Sequence, residues 1–337
     1  ATQDGSTVTL KKNGSPVGDF QTSTDGGNTW TDYTLDSAIT LNTDDEVSFR
    51  AKSDRTSEQN YTAYFYFMME GKIEAWHNVM SLYRTNDFAT YNTATDYSFY
   101  QLFNGCISLT KAPALPATTL AQYCYSDMFR DCTALTKAPA LPATTLADYC
   151  YANMFNGCAL LTKAPDLPAT ALAYYCYQNM FRGCISLVNA PALQATTLAQ
   201  FCYGGMFFGC TSLTKAPALP ATTLATSCYS GMFYGCTSLS EAPALTATTL
   251  APKCYANMFG GCTSLTKAPA LPATTLAQEC YQFMFQGCTS LTKSPELTAT
   301  TLAQSCYSNM FNDCSSLNKV RCQIPSSYSS NNISSYA

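Results

Sequence analysis

Charge is what this sequence has least of. Asp, Glu, Lys and Arg make up 12% of its 337 residues and leave a net charge of −4, about half the usual charged share. No cluster of lysines and arginines interleaved with aromatics occurs, so a nucleic-acid partner is not expected. Histidine is represented once, by His77, which nearly removes the commonest general base. Paired Cys-x-x-Cys spacings are missing, and with them the usual zinc ribbon. The longest apolar run, around Ala63 to Met69, is far shorter than the roughly 20 residues a membrane-spanning helix requires. No transmembrane segment, metal or cofactor is therefore expected, while an export signal or lipid anchor upstream of Ala1 stays open.

What the chain has instead is a period. Cysteine recurs every 26 residues at 106, 132, 158, 184, 210, 236, 262, 288 and 314, and a second cysteine column runs from Cys124 to Cys306 with the same step. Phe129 to Phe311 and Leu135 to Leu317 keep the register without insertion. A fixed step of this length marks a solenoid, whose units bury apolar side chains only against their neighbours. About seven large apolar residues at roughly 2 kcal/mol each fall well short of ordering 26 residues at about 1.5 kcal/mol each. The array, not the unit, is what folds.

Within one unit, Cys228, Met232 and Cys236 and, beside them, Tyr229 and Phe233 are spaced by four, which predicts one face of a short helix. Thr222 and Thr223 offer N-cap oxygens and Gly235 a left-handed stop. Thr237 to Ala242 reads as a short strand closed by Pro243, and Leu245 to Leu250 as an extended return. The expected class is an α/β solenoid, one short helix and one short strand per 26-residue coil.

The 18 cysteines are expected to be buried free thiols acting as small hydrophobes. Column neighbours point in parallel, whereas a disulfide needs converging Cβ atoms about 3.5 to 4.5 Å apart. Some cross-column bridges remain an alternative, and Cys322, outside the period, is the exception to watch.

Residues 1–83 lack the repeat and carry β-branched and aromatic runs between Gly, Asn and Asp clusters, which predicts a small all-β sandwich-like domain. Ser23 to Trp30 joins two runs by a turn and resembles the S-x-D-x-G-x-x-W Asp-box of sialidase propellers, a fold device there and not a catalytic one. Asp44, Asp45 and Glu46 are a solvated turn or, less simply, a calcium site. Residues 84–97 suit a linker or N-cap, 98–322 the solenoid of about nine units, and 323–337 a polar tail or cap.

Columns that vary between units are where a surface can be specified. The row just before and within each expected helix holds Tyr123, Tyr149, Tyr174, Tyr175 and Phe201, followed by Ser227, Lys253 and Glu279. A contiguous row of aromatics is a candidate ligand-binding patch, with packing onto the neighbouring helix as the alternative. A second candidate is the basic row Lys111, Lys137, Lys163, Lys215, Lys267 and Lys293, either a solvated edge or a site for an anionic polymer. The Tyr125-to-Tyr307 column reads as core. Catalysis finds no nucleophile beside a base, and scattered acids such as Asp148, Asp166, Glu279 and Glu296 form no pair, so no enzyme is expected.

The unit C-Y-x-x-M-F-x-G-C-T-S-L-T-K-A-P-A-L-P-A-T-T-L-A, with Met232-Phe233-Tyr234-Gly235-Cys236-Thr237-Ser238-Leu239 matching A-F-x-x-C-x-x-L, resembles the BspA-type leucine-rich repeat of bacterial surface proteins from Ser98 to Cys322. Met69 to Leu82 is similar to the lead-in of such proteins from gut bacteria. The return here is longer and richer in Pro, Ala and Thr than in the commoner unit of about 23 residues. The resemblance implies a right-handed leucine-rich-repeat coil, export to the cell surface or outer membrane, often a lipoprotein anchor, and adhesion to a host or matrix protein. An extended glycan is the alternative partner, and a purely structural surface-layer role a third reading.

Overall fold

The structure is a computed structural model that describes residues 1–55 and 59–322; the tail expected at 323–337 lies outside them. The chain forms two compact units, Ala1–Asp166 and Leu167–Ala337.

The first unit opens with two three-stranded antiparallel sheets. One has β4 (Ile39–Leu41), β1 (Ser6–Asn13) and β6 (Tyr64–Glu70) in that order, and the other β3 (Thr31–Tyr33), β2 (Phe20–Ser23) and β5 (Ser48–Ala51). Alternation decides which side chains face inward: along β6, Phe65, Phe67 and Met69 are buried while Met68 is exposed. The sheets meet through rings, Phe20 against Phe65 at 4.9 Å and Phe49 against Phe67 at 5.1 Å, both edge-to-face.

The β2–β3 turn is held by Asp25, whose carboxylate accepts from Ser23 Oγ, the Thr29 hydroxyl and the backbone of Asn28 and Thr29, while Trp30 Nε1 closes on the Gly27 carbonyl. These donors hold the carboxyl well below its ordinary range.

The repeats begin directly on β6. Phe67 stacks on Phe103 at 5.2 Å and Phe103 on Phe129 at 5.5 Å, the Phe67 amide donates to Leu102 O, and the Cys106 thiol donates to Phe67 O. β7 (Ile73–Glu74) pairs in parallel with β8 (Leu109–Lys111). In this way β6 stands where a preceding coil would, and the first coil is not left with a naked apolar end.

The expected α/β solenoid is overturned. Among the described residues the sole helical element is a 3-10 turn at Val79–Leu82, and no repeat contains a helix. Between Phe201 and Cys210 the even-numbered amides donate back three residues (Met206 N to Tyr203 O, 3.2 Å; Phe208 N to Gly205 O, 3.0 Å). The odd-numbered ones donate to the next coil instead: Tyr203 N to Cys228 O at 3.0 Å, Gly205 N to Ser230 O at 2.8 Å, Phe207 N to Met232 O at 2.9 Å and Gly209 N to Tyr234 O at 2.7 Å. An α-helix sends every amide back four residues; here half of them tie coil to coil. Every fourth residue takes a left-handed backbone, as at Phe201 (φ 56°), Gly205 (62°) and Gly209 (71°), and no helix passes through such a residue. The product is a ribbon of overlapping turns with a true period of four. Cys202, Tyr203, Met206, Phe207 and Cys210 point inward and are at most 2% exposed.

The expected strand in each repeat is likewise reduced. Isolated parallel bridges join Lys215 to Glu241, Leu219 to Leu245 and Thr223 to Thr249, four residues apart. Pro217 and Pro220 stand between them without an N–H to donate, so a continuous ladder cannot form. Among the described residues of the repeats, two residues pair on each side at two places, β7 with β8 at the start of the array and β9 (Glu296–Leu297) with β10 (Arg321–Cys322) late in the second unit, both in parallel.

The core of each unit is a bundle of one-residue columns. In the second unit Phe181, Phe207, Phe233, Phe259, Phe285 and Phe311 stack at 5.6 to 5.7 Å with planes within 7°. The Tyr177-to-Tyr307 column beside it runs at 5.7 to 5.8 Å. The 18 cysteines are thiols rather than disulfides, and of them only Cys322 is exposed.

Candidate interaction surface

The ribbon gives each coil a solvent side. Three of its left-handed columns recur every 26 residues, and two are filled mostly as left-handed backbone prefers: Asp127, Asn153, Asn179, Gly205, Gly231 and Asn257 in one, where Gln101 and Phe283 are the exceptions, and Asp131, Gly157, Gly183, Gly209, Gly235 and Gly261 in the other. The third is filled against that preference. Tyr97, Tyr123, Tyr149, Tyr175 and Phe201 all have φ between 54° and 57°, a region that costs an ordinary residue about 1 to 2 kcal/mol. Nothing in the backbone asks for a ring there.

In the first unit these rings form a ladder. Tyr97 lies on Tyr123 at 4.7 Å and Tyr123 on Tyr149 at 4.4 Å, with planes 11° and 12° apart, all half-buried. Tyr100 meets the edge of Tyr97 at 5.7 Å and of Tyr64 at 5.2 Å. Gln101 ties this group together, accepting from the Tyr64 hydroxyl at 2.8 Å and donating to that of Tyr100 at 2.9 Å. Burial raises the phenol pKa of Tyr64, Tyr97, Tyr100 and Tyr123, so the patch is neutral and rich in hydroxyls. Beneath it Asp127, 6% exposed, accepts from Ser126 Oγ at 2.9 Å and pairs with Arg130 at 3.3 Å, yet burial still raises its carboxyl pKa.

In the second unit Tyr174 meets Tyr175 edge-on at 4.3 Å and Tyr175 stacks on Phe201 at 4.6 Å. Further along the same column the rings give way to an ion pair, Lys253 with Glu279 at 3.2 Å. A neighbouring column adds rings that the sequence reading overlooked: Arg182 caps Phe208 at 4.1 Å, Phe208 stacks on Tyr234 at 4.8 Å, and Tyr234 lies over Gly260, where a Cβ would come within 2.6 Å of the ring. Tyr64 and Tyr100 were also missed. Tyr97 was within reach of the sequence, one 26-residue step before Tyr123.

The basic row sits elsewhere on the coil, at the first of the parallel bridges. Lys137 pairs with Lys163, and Lys267 with Lys293; Lys215 lies between Asn189 and Glu241, and these lysines are exposed. Lys111 differs, its ammonium resting over the Trp76 ring at 2.9 Å. His77 is exposed, with a left-handed backbone at φ 60°. Asp45 accepts from the Asn42 amide and Asp4 from Thr43, so the acidic turn bonds within the protein. Among the described residues no group of three or more His, Cys, Asp or Glu is placed to hold a metal ion, and none of the helices is long and apolar enough to cross a membrane.

Coils of constant core and variable outer columns define a repeat scaffold of the protein-binding kind. The model of the BspA type leucine-rich repeat region matches the chain in six copies, over residues 152–292, 196–318 and 249–337, together more than half of its length. The chain belongs to the BspA-type leucine-rich-repeat family. That family is a repeat scaffold, generally without catalytic activity, and typically exposed on bacterial surfaces. No curated protein and no solved structure matches the chain.

Proposed function

We propose that this chain is an exported, non-enzymatic adhesion protein of the bacterial surface that captures a host or matrix protein on the tyrosine surface of its first unit, with residues 1–83 as spacer. The observation that carries the reading is the Tyr97–Tyr123–Tyr149 ladder, rings kept at positions where the backbone favours Gly or Asn. Tyrosine supplies large, rigid, amphipathic contact area at low entropic cost, which is why it dominates binding loops and interface hot spots. An extended glycan, the other partner expected, stacks on open ring faces; inside a ladder spaced at 4.4 to 4.7 Å those faces are covered by the next ring. The lysine row is a secondary candidate, suited to an acidic stretch of the partner.

The test is a panel of matrix proteins alongside a glycan array, read with the native chain and with Tyr97, Tyr123 and Tyr149 changed together to Ser. The expected outcome is a matrix-protein hit lost in the triple variant. The corresponding Phe variant keeps the stack, loses the hydroxyls and should weaken binding by about tenfold for each 1.4 kcal/mol lost. Hits confined to the glycan array, or a matrix hit untouched by either variant, would sink this assignment.

A further inference from the structure

The first unit contains a hollow that the ladder does not use. Between the ends of its two sheets lies a cleft of about 390 Å³, within the range of small-molecule sites. Its floor is apolar, with Leu41 of β4, Phe49 of β5 and Phe67 and Met69 of β6. Protein interiors are close-packed, and here the facing sheets stop short of closing. β4 has only three residues, and the connection from it to β5 runs through Asn42–Val47 without joining a sheet.

That connection gives the opening its charge. Asp44, Asp45, Glu46 and Glu74 are all among its lining residues. Among the described residues no lysine or arginine lines the cleft; the Ala1 nitrogen donates to the Asp45 carbonyl at 2.6 Å, and the His77 ring also belongs to the lining. Trp76 lines the wall at 55% exposure, with the Lys111 ammonium held over its ring outside the lining.

We propose that this cleft binds a small amphipathic cation, an aromatic or aliphatic body carrying an ammonium group. The body enters the apolar floor, where burial of non-polar surface supplies the affinity. The ammonium stays at the mouth among four carboxylates, so it needs no desolvation beyond what they offset. A carboxylate of the same shape gains the same apolar part but is repelled at the mouth, and a neutral alcohol gains the apolar part alone.

Isothermal titration of the whole chain with 2-phenylethylamine, 2-phenylethanol and 3-phenylpropanoate tests this, with Trp76 emission locating the site and W76F as the blank that removes the Trp30 background. The amine is expected to bind about tenfold or more tighter than the other two. The exposed-residue variant D44N/D45N/E46Q, which leaves Glu74 as the one carboxylate of the four, should remove most of the amine's advantage over the alcohol. Should that variant fold poorly, salt gives the same readout on the native chain, because it weakens the amine and spares the alcohol. Equal binding of the three probes, or an amine that binds without altering Trp76 emission, overturns the proposal, as does the absence of binding by all three.

Discussion

The thiol of Cys236 donates a hydrogen bond to the backbone carbonyl of Phe207, 29 residues earlier, at 3.1 Å. The same bond recurs from Cys132 to Phe103, Cys158 to Phe129, Cys210 to Phe181, Cys262 to Phe233, Cys288 to Phe259 and Cys314 to Phe285. The cysteine column is therefore a stitch from coil to coil as well as a core filler. A thiol so placed must stay protonated, and a small apolar replacement cannot reproduce it.

Thiol reagents should see little of this in the native protein. Cys322 is exposed and the other 17 are buried, and reactivity needs an accessible thiolate. Native labelling should stop near one equivalent, and labelling after denaturation without reductant should reach 18. Fewer than half reacting in denaturant would mean that the columns carry disulfides.

Alkali should unfold the chain. Burial pushes the thiols of Cys106, Cys124, Cys202, Cys236, Cys254 and Cys288 from an ordinary value of 9.0 up to about 12. A folded-state pKa raised above the unfolded one means that the native form holds its proton longer. This contribution is complete below pH 9 and is lost as pH rises from 9 toward 12, at about 1.4 kcal/mol per unit for each thiol. Denaturant midpoints measured from pH 7 to 11 should be flat and then fall. A midpoint unchanged at pH 11 would contradict the burial of these groups.

Truncating one rung should be felt by its neighbours. Phe207 is fully buried between Phe181 and Phe233 at 5.7 Å on each side. Phe207→Ala should destabilise by about 3 to 5 kcal/mol in equilibrium unfolding. Hydrogen exchange should quicken in the coils on both sides, because each coil is held by its neighbours. An effect below about 1 kcal/mol would show that the column is not core.

The repeat, its core columns and its aromatic row were legible in the sequence because stacking demands identical residues at identical steps. Cys202, Met206 and Cys210 in register could only be interior. The backbone between them was misread. A stripe spaced by four drifts about 40° per step on an α-helix, and over three residues that drift fits within a helical face, so Cys228, Met232 and Cys236 suit either structure. The distinguishing mark lay on the opposite side. Asn153 and Gly157, Asn179 and Gly183, Gly205 and Gly209 place left-handed formers four residues apart where a helix would have none. The Tyr64–Tyr100 contact could not be read at all, since it joins β6 to the first coil and depends on tertiary placement.

The backbone correction carries its own test at Gly231. This residue lies in the middle of the stretch that the four-residue spacing assigns to a helix, and in a helix interior Gly to Ala stabilises by about 1 kcal/mol. In the ribbon Gly231 has φ 61°, and a Cβ built there meets nothing within 4 Å. Packing is therefore silent, and only the backbone decides. A left-handed conformation costs alanine about 1 to 2 kcal/mol more than glycine, partly relieved because the unfolded glycine has more freedom to lose. Gly231→Ala should destabilise by about 1 kcal/mol, while Gly231→Asn, which tolerates the left-handed region, should fall between the two. Chemical denaturation of the three proteins gives the order Gly, Asn, Ala from most to least stable. The reverse order, with alanine the most stable, would restore the helix and remove the ribbon.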